Sequence, residues 1–252
     1  MDVNKTIWIT GATSGLGKAA AIGFAARGWN VAFCGRRTDK GKDVAKTILA
    51  SGGQAVFIPA DVTRETDVIR MMQEALDRYG PPDAAFNNAG GNFVLGPLTS
   101  VSAEAFEKIL AVNLTAVFHC LKHEITAMQA GGGSIINTAS TAAVKGISRG
   151  LAAYTAAKHG VIGLTKCAAL ETASRGIRIN ALVLGAVATD TWLEKVGKVP
   201  GQVKKIAEAI PAGKVGAPDD VMPLLEYLAG AGSAYMTGAA VTLDGGVTAG
   251  WP

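Results

Sequence analysis

Short apolar runs alternate with longer segments of helical periodicity along almost the whole chain. The apolar runs predict seven strands, near residues 6–10, 31–35, 55–59, 84–86, 134–138, 178–182 and 240–243. Strands joined by helical crossovers pair in parallel, and continuous apolar runs such as Val31-Ala32-Phe33 are typical of strands covered on both faces. We therefore predict an α/β fold in which residues 1–252 form one domain, a doubly wound seven-stranded parallel sheet with helices on both faces.

Composition supports a globular chain with a sizeable core. Hydrophobic residues make up 49% of the 252 residues and charged residues 17%, which excludes a disordered chain. The 24 basic and 20 acidic residues are dispersed along the sequence, so the net charge of +4 does not predict nucleic-acid binding. We expect no membrane span and no signal peptide. Cys34, Cys120 and Cys167 lack metal-ligand or redox spacing, which favours free thiols and a cytoplasmic location.

A glycine-rich turn follows the first predicted strand and precedes a helical segment. It consists of Thr10-Gly11-Ala12-Thr13-Ser14-Gly15-Leu16-Gly17. At such a turn, glycines let the backbone approach a pyrophosphate, and free N–H groups with the helix dipole stabilise its negative charge. The turn predicts a dinucleotide site, although a glycine turn that only packs the helix on the sheet has the same pattern.

The second predicted strand ends in Cys34-Gly35-Arg36-Arg37. An NAD site usually has a carboxylate at this place for the ribose 2′-hydroxyl, and this chain has none. Arg36 and Arg37 suit a 2′-phosphate instead, because guanidinium groups bind phosphate through charge-assisted hydrogen bonds. The pair favours NADP(H) and leaves NAD(H) possible, since arginines are also common in a solvated basic turn.

Motifs along essentially the whole sequence resemble, in order and approximate spacing, those of the short-chain dehydrogenase/reductase family. The glycine turn is similar to the family's cofactor loop, and Tyr154-Thr155-Ala156-Ala157-Lys158 to its Tyr-x-x-x-Lys motif. The resemblance implies a Rossmann-type fold, an NAD(P)-dependent oxidoreductase of ketones or secondary alcohols, and a homotetramer. It assigns catalytic positions to Asn113, Ser140, Tyr154 and Lys158. It assigns cofactor contacts to Tyr154, Lys158, Gly11, Thr13, Ser14, Gly15, Leu16, Gly17, Asp61, Val62, Asn88, Ala89, Gly90, Val187 and Thr189.

The spacing of Tyr154 and Lys158 also supports acid–base chemistry by itself, because residues four apart share one face of a helix. A free tyrosine has a pKa of about 10, and a nearby ammonium favours the phenolate, so we expect Lys158 to lower the pKa of Tyr154. Ser140 lies just beyond the fifth predicted strand and is expected to donate a hydrogen bond to the substrate oxygen. An ordinary surface pair on a helix and a turn serine remain the alternatives.

Other polar positions have two interpretations. The resemblance gives Asn113 a place in a proton relay, with its helix opened locally to hold a water near Lys158. A polar residue tolerated within a packed helix is the alternative. Asp61 also fits a helix cap or turn, and Asn87-Asn88-Ala89-Gly90 also fits an asparagine-rich turn.

Two further segments lie near the predicted site, and the first departs from the family pattern. Leu184 precedes Gly185 where the family usually has proline, which leaves the entrance to the next loop less constrained. Residues 190–216 have weak sheet character and predict a substrate lid, with Trp192 as an apolar wall that also binds substrate beside Ser140 and Tyr154. Lys145 and Arg149, in the loop before Tyr154, are interpreted as exposed loop charges.

The leading hypothesis is an NADP(H)-dependent carbonyl reductase that acts on a small-molecule ketone or secondary alcohol. An NAD-dependent dehydrogenase of a secondary alcohol, diol or sugar, a 3-oxoacyl-thioester reductase, and a non-catalytic dinucleotide-binding regulator remain open. The intact set of Ser140, Tyr154 and Lys158 disfavours the regulator. No metal site is expected.

Overall fold

All seven predicted strands form one parallel sheet in the computed structural model, which describes residues 5–91, 96–147 and 150–250. The strand order is β3-β2-β1-β4-β5-β6-β7. The predicted doubly wound, Rossmann-type fold is confirmed. The strands are β1 (Thr6–Ile9), β2 (Asn30–Gly35), β3 (Gln54–Pro59), β4 (Ala84–Asn87), β5 (Gly133–Ser140), β6 (Ile177–Leu184) and β7 (Ala240–Leu243).

Helices cover both faces of this sheet. The α-helices of the described residues are α1 (Gly15–Ala26), α2 (Thr38–Ala50), α3 (Glu65–Tyr79), α4 (Ala103–Leu110), α5 (Ala116–Ala127), α6 (Ala152–Thr172), α7 (Asp190–Val196), α8 (Gln202–Glu208) and α9 (Pro218–Ala229). Among them, no helix is both long enough and apolar enough to cross a lipid bilayer.

Alternating side chains of the buried strands supply two core layers. One layer packs Trp8 and Ile135 of the sheet against α3, α5 and α6, and the other packs Ile7 and Ile136 against α1, α2 and α9. Neighbouring residues of one strand therefore belong to opposite layers, as period-two alternation requires. This double coverage explains why the strands have continuous apolar runs.

The carboxyl ends of the strands meet at one edge, where the chain turns to opposite sides of the sheet. β1 pairs with both β2 and β4, so the crossovers diverge on either side of it. Ligands of open α/β sheets bind in the crevice outside this point. The glycine turn after β1 and the residues that follow β2, β4 and β5 all lie at this edge.

The structure differs from the expected bounds in two places that affect the site. Ser140 is the last residue of β5 and pairs with Leu184, so it lies in the strand rather than beyond it. Residues 190–216 contain the helices α7 and α8, not irregular loop alone. Arg149 and the tail residues Trp251 and Pro252 lie outside the described residues.

Candidate active site

A crevice of about 540 Å³ opens at the carboxyl edge of the sheet. It runs from the ends of β2 and β3, past the glycine turn, to the ends of β5 and β6. Its wall contains 17 of the predicted site residues. They are Gly11, Thr13, Ser14, Gly15, Leu16, Arg36, Arg37, Asp61, Val62, Asn88, Ala89, Gly90, Ser140, Tyr154, Val187, Thr189 and Trp192.

The glycine turn has the backbone that an anion site needs. Gly11 and Gly15 have φ of 68° and 59°, a region that residues with a β-carbon rarely adopt. Helix α1 begins at Gly15 with no side-chain cap and no acidic residue in its first turn. Its first N–H groups and its dipole therefore face the crevice, which fits the pyrophosphate of a dinucleotide.

The segment after β4 clamps this turn. The side-chain amide of Asn88 donates hydrogen bonds to the carbonyls of Thr10 and Gly11, each 3.2 Å long. The backbone N–H groups of Asn88 and Ala89 both donate to the Thr10 hydroxyl, 3.1 Å away. A β-carbon on Gly17 would lie 2.5 Å from Asn88 Nδ2, so this glycine is needed for close approach. Gly17 thus shapes the crevice from behind rather than lining it.

The two arginines after β2 lie at one end of the crevice. Arg37 donates from Nε and Nη2 to the Thr13 hydroxyl, at 3.2 and 3.0 Å, and also hydrogen-bonds Ser14 Oγ. Arg36 has a largely exposed side chain, with Nη1 4.0 Å from Asp61 Oδ2. Arg37 is therefore fixed against the glycine turn, whereas Arg36 remains open to solvent beside it.

Asp61 stabilises a turn, as one of its two interpretations predicts, and it also lines the crevice. Its Oδ1 accepts from the Thr63 N–H and hydroxyl, at 3.1 and 2.8 Å. Its Oδ2 faces Arg36. The turn role is thus present, and the cofactor contact of Asp61 stays a prediction.

Ser140 and Tyr154 meet at the other end of the crevice. Ser140 Oγ accepts a hydrogen bond from the Ala142 N–H at 3.2 Å, which leaves its own proton free to donate. Burial raises the pKa of Tyr154, and a hydrogen bond with Ser140 opposes that rise. The tyrosine is therefore a neutral phenol near neutral pH, so it carries the proton that ketone reduction needs, but its raised pKa makes it a weaker acid than a free phenol.

Lys158 is buried beside this phenol, but it does not hydrogen-bond the phenol oxygen. Its Nζ donates to the Thr138 carbonyl at 2.7 Å and lies 5.7 Å from the centroid of the Tyr154 ring. Burial lowers the pKa of Lys158 to about 8. Our expectation that Lys158 lowers the pKa of Tyr154 is thus not met here, because burial penalises both charged forms and Lys158 faces Thr138.

Asn113 lies in a π-helical turn, Ala111–Thr115, between α4 and α5. The local opening of the helix is therefore present. Its side-chain amide donates to the carbonyls of Gly91 and Ile109, at 3.0 and 3.1 Å, and its Oδ1 accepts from the Gly91 N–H. A β-carbon on Gly90 would lie 2.9 Å from Asn113 Oδ1 and 3.7 Å from Lys158 Nζ, so these groups converge.

The segment after β6 closes over the glycine turn. Thr189 caps α7 by accepting from the Trp192 N–H, and its side chain lies 3.5 Å from the β-carbon position of Gly15. An ion pair of Lys18 with Asp190, at 4.0 Å, also joins α1 to α7. Leu184 is held by strand pairing on both sides, with Ser140 and Leu243, although it lacks the φ restriction of proline.

Several lining residues were not predicted from the sequence. Thr138 and Ala139 lie near the end of β5, Cys34 lies near the end of β2 and Ala60 follows β3, while Val112 comes from the π-helical turn. Position at the carboxyl end of a predicted strand is the signal that identifies the first four of these residues. Thr10, which holds Asn88, also lacked a predicted role of its own.

Comparisons with known proteins identify the family. A family model described as enoyl-(acyl carrier protein) reductase matches residues 11–248. A 2,5-dichloro-2,5-cyclohexadiene-1,4-diol dehydrogenase of Sphingobium indicum is 37% identical over 247 residues, 97% of each chain. The chain belongs to the short-chain dehydrogenase/reductase family. The prediction of an NAD(P)-dependent oxidoreductase is thereby confirmed.

Two further members of the short-chain dehydrogenase/reductase family extend the comparison. A cyclohexanol dehydrogenase of Acinetobacter sp. is 36% identical over 249 residues, 97% of this chain and 95% of the relative. A crystal structure of actinorhodin polyketide ketoreductase with NADPH superposes with a TM-score of 0.90 at 30% identity, covering 97% of each chain. Both likenesses extend over nearly the full length.

Proposed function

We propose that this chain is an NADP(H)-dependent carbonyl reductase of uncharged ketones, which also oxidises the corresponding secondary alcohols. The observation that carries the proposal is one crevice with Arg36 and Arg37 at one end and Tyr154 beside Ser140 at the other. The names of relatives that act on cyclohexanol and on a cyclohexadiene diol support an alicyclic substrate.

The lining of the crevice supports an uncharged substrate. Among its described residues, the charged side chains are Arg36, Arg37 and Asp61, all at the end formed by β2 and β3. The end near Tyr154 has the apolar side chain of Leu184, which pairs with Ser140, and Trp192 also lines the crevice. A charged substrate group would lose its hydration there, and the nearby ammonium of Lys158 already donates to the Thr138 carbonyl.

Each catalytic group has a distinct task in this proposal. When bound, the nicotinamide coenzyme supplies or accepts the hydride. Tyr154 donates its phenolic proton to the carbonyl oxygen, and Ser140 donates a hydrogen bond that stabilises the charge developing on that oxygen. Lys158 holds the coenzyme ribose, and Asn113 with Gly91 completes a relay toward it. Trp192 and the lid of residues 190–216 exclude water.

The pH dependence of ketone reduction tests the charge state of Lys158. Its pKa is lowered to about 8, so the ammonium is present below that pH and is lost above it. Because burial raises the pKa of Tyr154, the phenol remains protonated over the same range. We expect kcat/KM for reduction to be level from about pH 6 to 7.5 and to fall as the pH rises through 8. Initial rates in constant-ionic-strength buffers check this, and a profile level beyond pH 9.5 would contradict it.

Coenzyme preference tests the arginine pair. Charge-assisted hydrogen bonds contribute about 1.5–3 kcal/mol, so Arg37→Ala should lower kcat/KM for NADPH by about 10- to 100-fold. The value for NADH should change by less than about threefold, since NADH lacks the 2′-phosphate. Arg36→Ala should act in the same direction with a smaller effect, because Asp61 partly neutralises Arg36.

Arg175, an exposed arginine in the 3-10 turn that follows α6, provides the matched control. Arg175→Ala should leave both coenzymes unaffected. Equal losses with NADPH and NADH in Arg37→Ala would reject the 2′-phosphate role and favour the alternative, an NAD-dependent dehydrogenase of a secondary alcohol, diol or sugar.

A spectrophotometric screen tests the substrate proposal itself. NADPH and NADH consumption is compared with alicyclic, aliphatic, aromatic, sugar and thioester-linked ketones. We expect turnover of alicyclic ketones with NADPH. Exclusive turnover of thioester-linked ketones would instead favour a 3-oxoacyl-thioester reductase.

The homotetramer expected from the resemblance stays a prediction. The resemblance implies that the helical segments 103–128 and 152–172 form one subunit interface. Phe118 of α5 and Leu170 of α6, within these segments, are exposed apolar side chains. Burial of such side chains favours association.

A further inference from the structure

A buried polar network that the proposed chemistry does not use lies between the sheet and the helices α5 and α6, on one face of the sheet. The Asn87 side-chain amide donates to Glu124 Oε2 at 2.8 Å and to Asn137 Oδ1 at 3.0 Å. Asn137 in turn donates to the Thr165 hydroxyl, which donates to the Val161 carbonyl. The network thus joins α5, β4, β5 and α6, and its four side chains are at most 2% exposed.

Glu124 is the one ionisable member of this network. It is 1% exposed, and its hydrogen-bond partner among the described residues is the neutral Asn87. Burial raises the pKa of Glu124 to about 8, with the Asn87 hydrogen bond opposing the rise. No described cation contributes to that pKa. A buried carboxylate without a cation is costly, so Glu124 is a neutral acid at neutral pH.

The titratable groups that face Glu124 do not compensate its charge. Cys120 lies one turn earlier on α5, and Cys34 approaches from β2. Burial raises the pKa of both thiols, that of Cys34 to about 12, so both stay neutral over the range in which Glu124 titrates. An ionised Glu124 would therefore have one hydrogen bond from Asn87 and no opposing charge among the described residues.

Asn87 connects this carboxyl to the crevice. It is the last residue of β4, and the next residue, Asn88, clamps the carbonyls of Thr10 and Gly11 in the glycine turn. Two residues further, Gly90 approaches Lys158 and Asn113. A displacement of Asn87 is thus transmitted to the wall that faces the coenzyme.

We propose that Glu124, as a neutral acid, is a positioning residue: through Asn87 it fixes the end of β4 and hence the Asn88–Gly90 wall of the coenzyme crevice. The proposal rests on the proposed function, because the wall is assigned to NADP(H) there. Ionisation of Glu124 puts an uncompensated charge behind β4 and loosens both the fold and the coenzyme site.

The sign of the pH effect follows from the raised pKa. The folded protein holds the Glu124 proton up to a pH of about 8, whereas an unfolded glutamate loses it near 4.3. Between these two pH values the folded state binds more protons than the unfolded state, so the free energy of unfolding falls as the pH rises from one to the other. Above a pH of about 8, Glu124 causes no further loss of stability. Glu124→Gln keeps the shape and the acceptor oxygen but cannot ionise, so it removes this dependence.

The test compares the full-length wild-type protein with Glu124→Gln, and with Glu107→Gln of the exposed face of α4 as a matched control. Thermal unfolding is measured from pH 5 to 9.5, and NADPH dissociation constants by coenzyme fluorescence from pH 7 to 9.5. We expect the Tm advantage of Glu124→Gln to grow up to about pH 8 and then level off. We expect wild-type NADPH affinity to weaken at least about threefold more than that of the variant over the alkaline range. Lys158 titrates in both proteins, so the difference between their profiles isolates Glu124.

An infrared difference spectrum of wild type between pH 6 and 9.5 needs no Glu124 variant. It should show loss of the C=O band of a protonated carboxylic acid. Absence of that band, or parallel Tm profiles for wild type and Glu124→Gln, would overturn the proposal. A Tm difference with identical pH profiles of NADPH affinity would reduce Glu124 to a purely structural role and overturn it as well. Failure of NADPH to bind either protein would instead reject the proposed function.

Discussion

Replacing Tyr154 with phenylalanine is expected to lower kcat for ketone reduction by about 10³-fold, the size typical of a lost general acid. The reason is that phenylalanine keeps the ring beside Ser140 but has no proton to donate to the carbonyl oxygen. The dissociation constant of NADPH should stay within about twofold, since the glycine turn and the arginines are unchanged. Steady-state rates and coenzyme fluorescence titration measure the two effects separately.

Tyr235→Phe is the matched control for this substitution. Tyr235 is fully exposed, so loss of its hydroxyl should leave kcat and the coenzyme affinity unaltered. Undiminished turnover in Tyr154→Phe would reject the proposed mechanism. A loss of NADPH binding equal to the loss of kcat would show that Tyr154 acts on the coenzyme site and not on the proton.

Lys158→Met is expected to lower kcat/KM by about 10²-fold or more and to weaken NADPH binding by about tenfold, through loss of a charged hydrogen-bond donor. In the structure Lys158 Nζ is fixed by the Thr138 carbonyl and lies close to Gly90. Methionine fills a similar volume but has no ammonium for the ribose. Its Tm should be unchanged or higher, because burial of Lys158 is costly and no acidic partner offsets it among the described residues.

The combination of lower activity and preserved stability distinguishes a functional from a structural lysine. Lys166, exposed on the same helix, provides the control, and Lys166→Met should change neither property. If Lys158→Met unfolds at a lower temperature in proportion to its lost activity, the lysine serves the fold and the proposed role is wrong.

The strands could be predicted because their signal is local. Each is a short apolar run that ends at a turn, and burial on both faces removes the need for polar alternation. The carboxyl edge of a parallel sheet then predicts that Gly11, Arg37 and Ser140 meet, although 129 residues separate Gly11 from Ser140 in the sequence. The crevice confirms that placement.

The electrostatics of the site were not predictable in the same way. The four-residue spacing of Tyr154 and Lys158 predicts that they share one face of a helix. It does not show that Lys158 donates a hydrogen bond to the Thr138 carbonyl. Nor does it show how deeply each group is buried, which sets the direction of both pKa shifts. These properties depend on contacts with β5, and the helix sequence alone does not contain them.

The network of Glu124 was missed for a related reason. A glutamate on a helix is usually solvated, and only the contact with Asn87, 37 residues away, shows that this one faces the sheet. Residues 190–216 were likewise predicted only as a segment. Their first helix, α7, depends on the Thr189 cap and on its contact with α1, which involve separate parts of the chain.

Transfer of deuterium from coenzyme to product tests the central claim most directly. In a single turnover, NADPH carrying two deuterium atoms at C4 of the nicotinamide is mixed with excess enzyme and an alicyclic ketone, and the alcohol is analysed by mass spectrometry. We expect one deuterium at the carbinol carbon, formed by wild type and about 10³-fold more slowly by Tyr154→Phe. Binding of NADPH without any deuterated alcohol, from every ketone of the panel, would contradict the assignment of this crevice to carbonyl reduction.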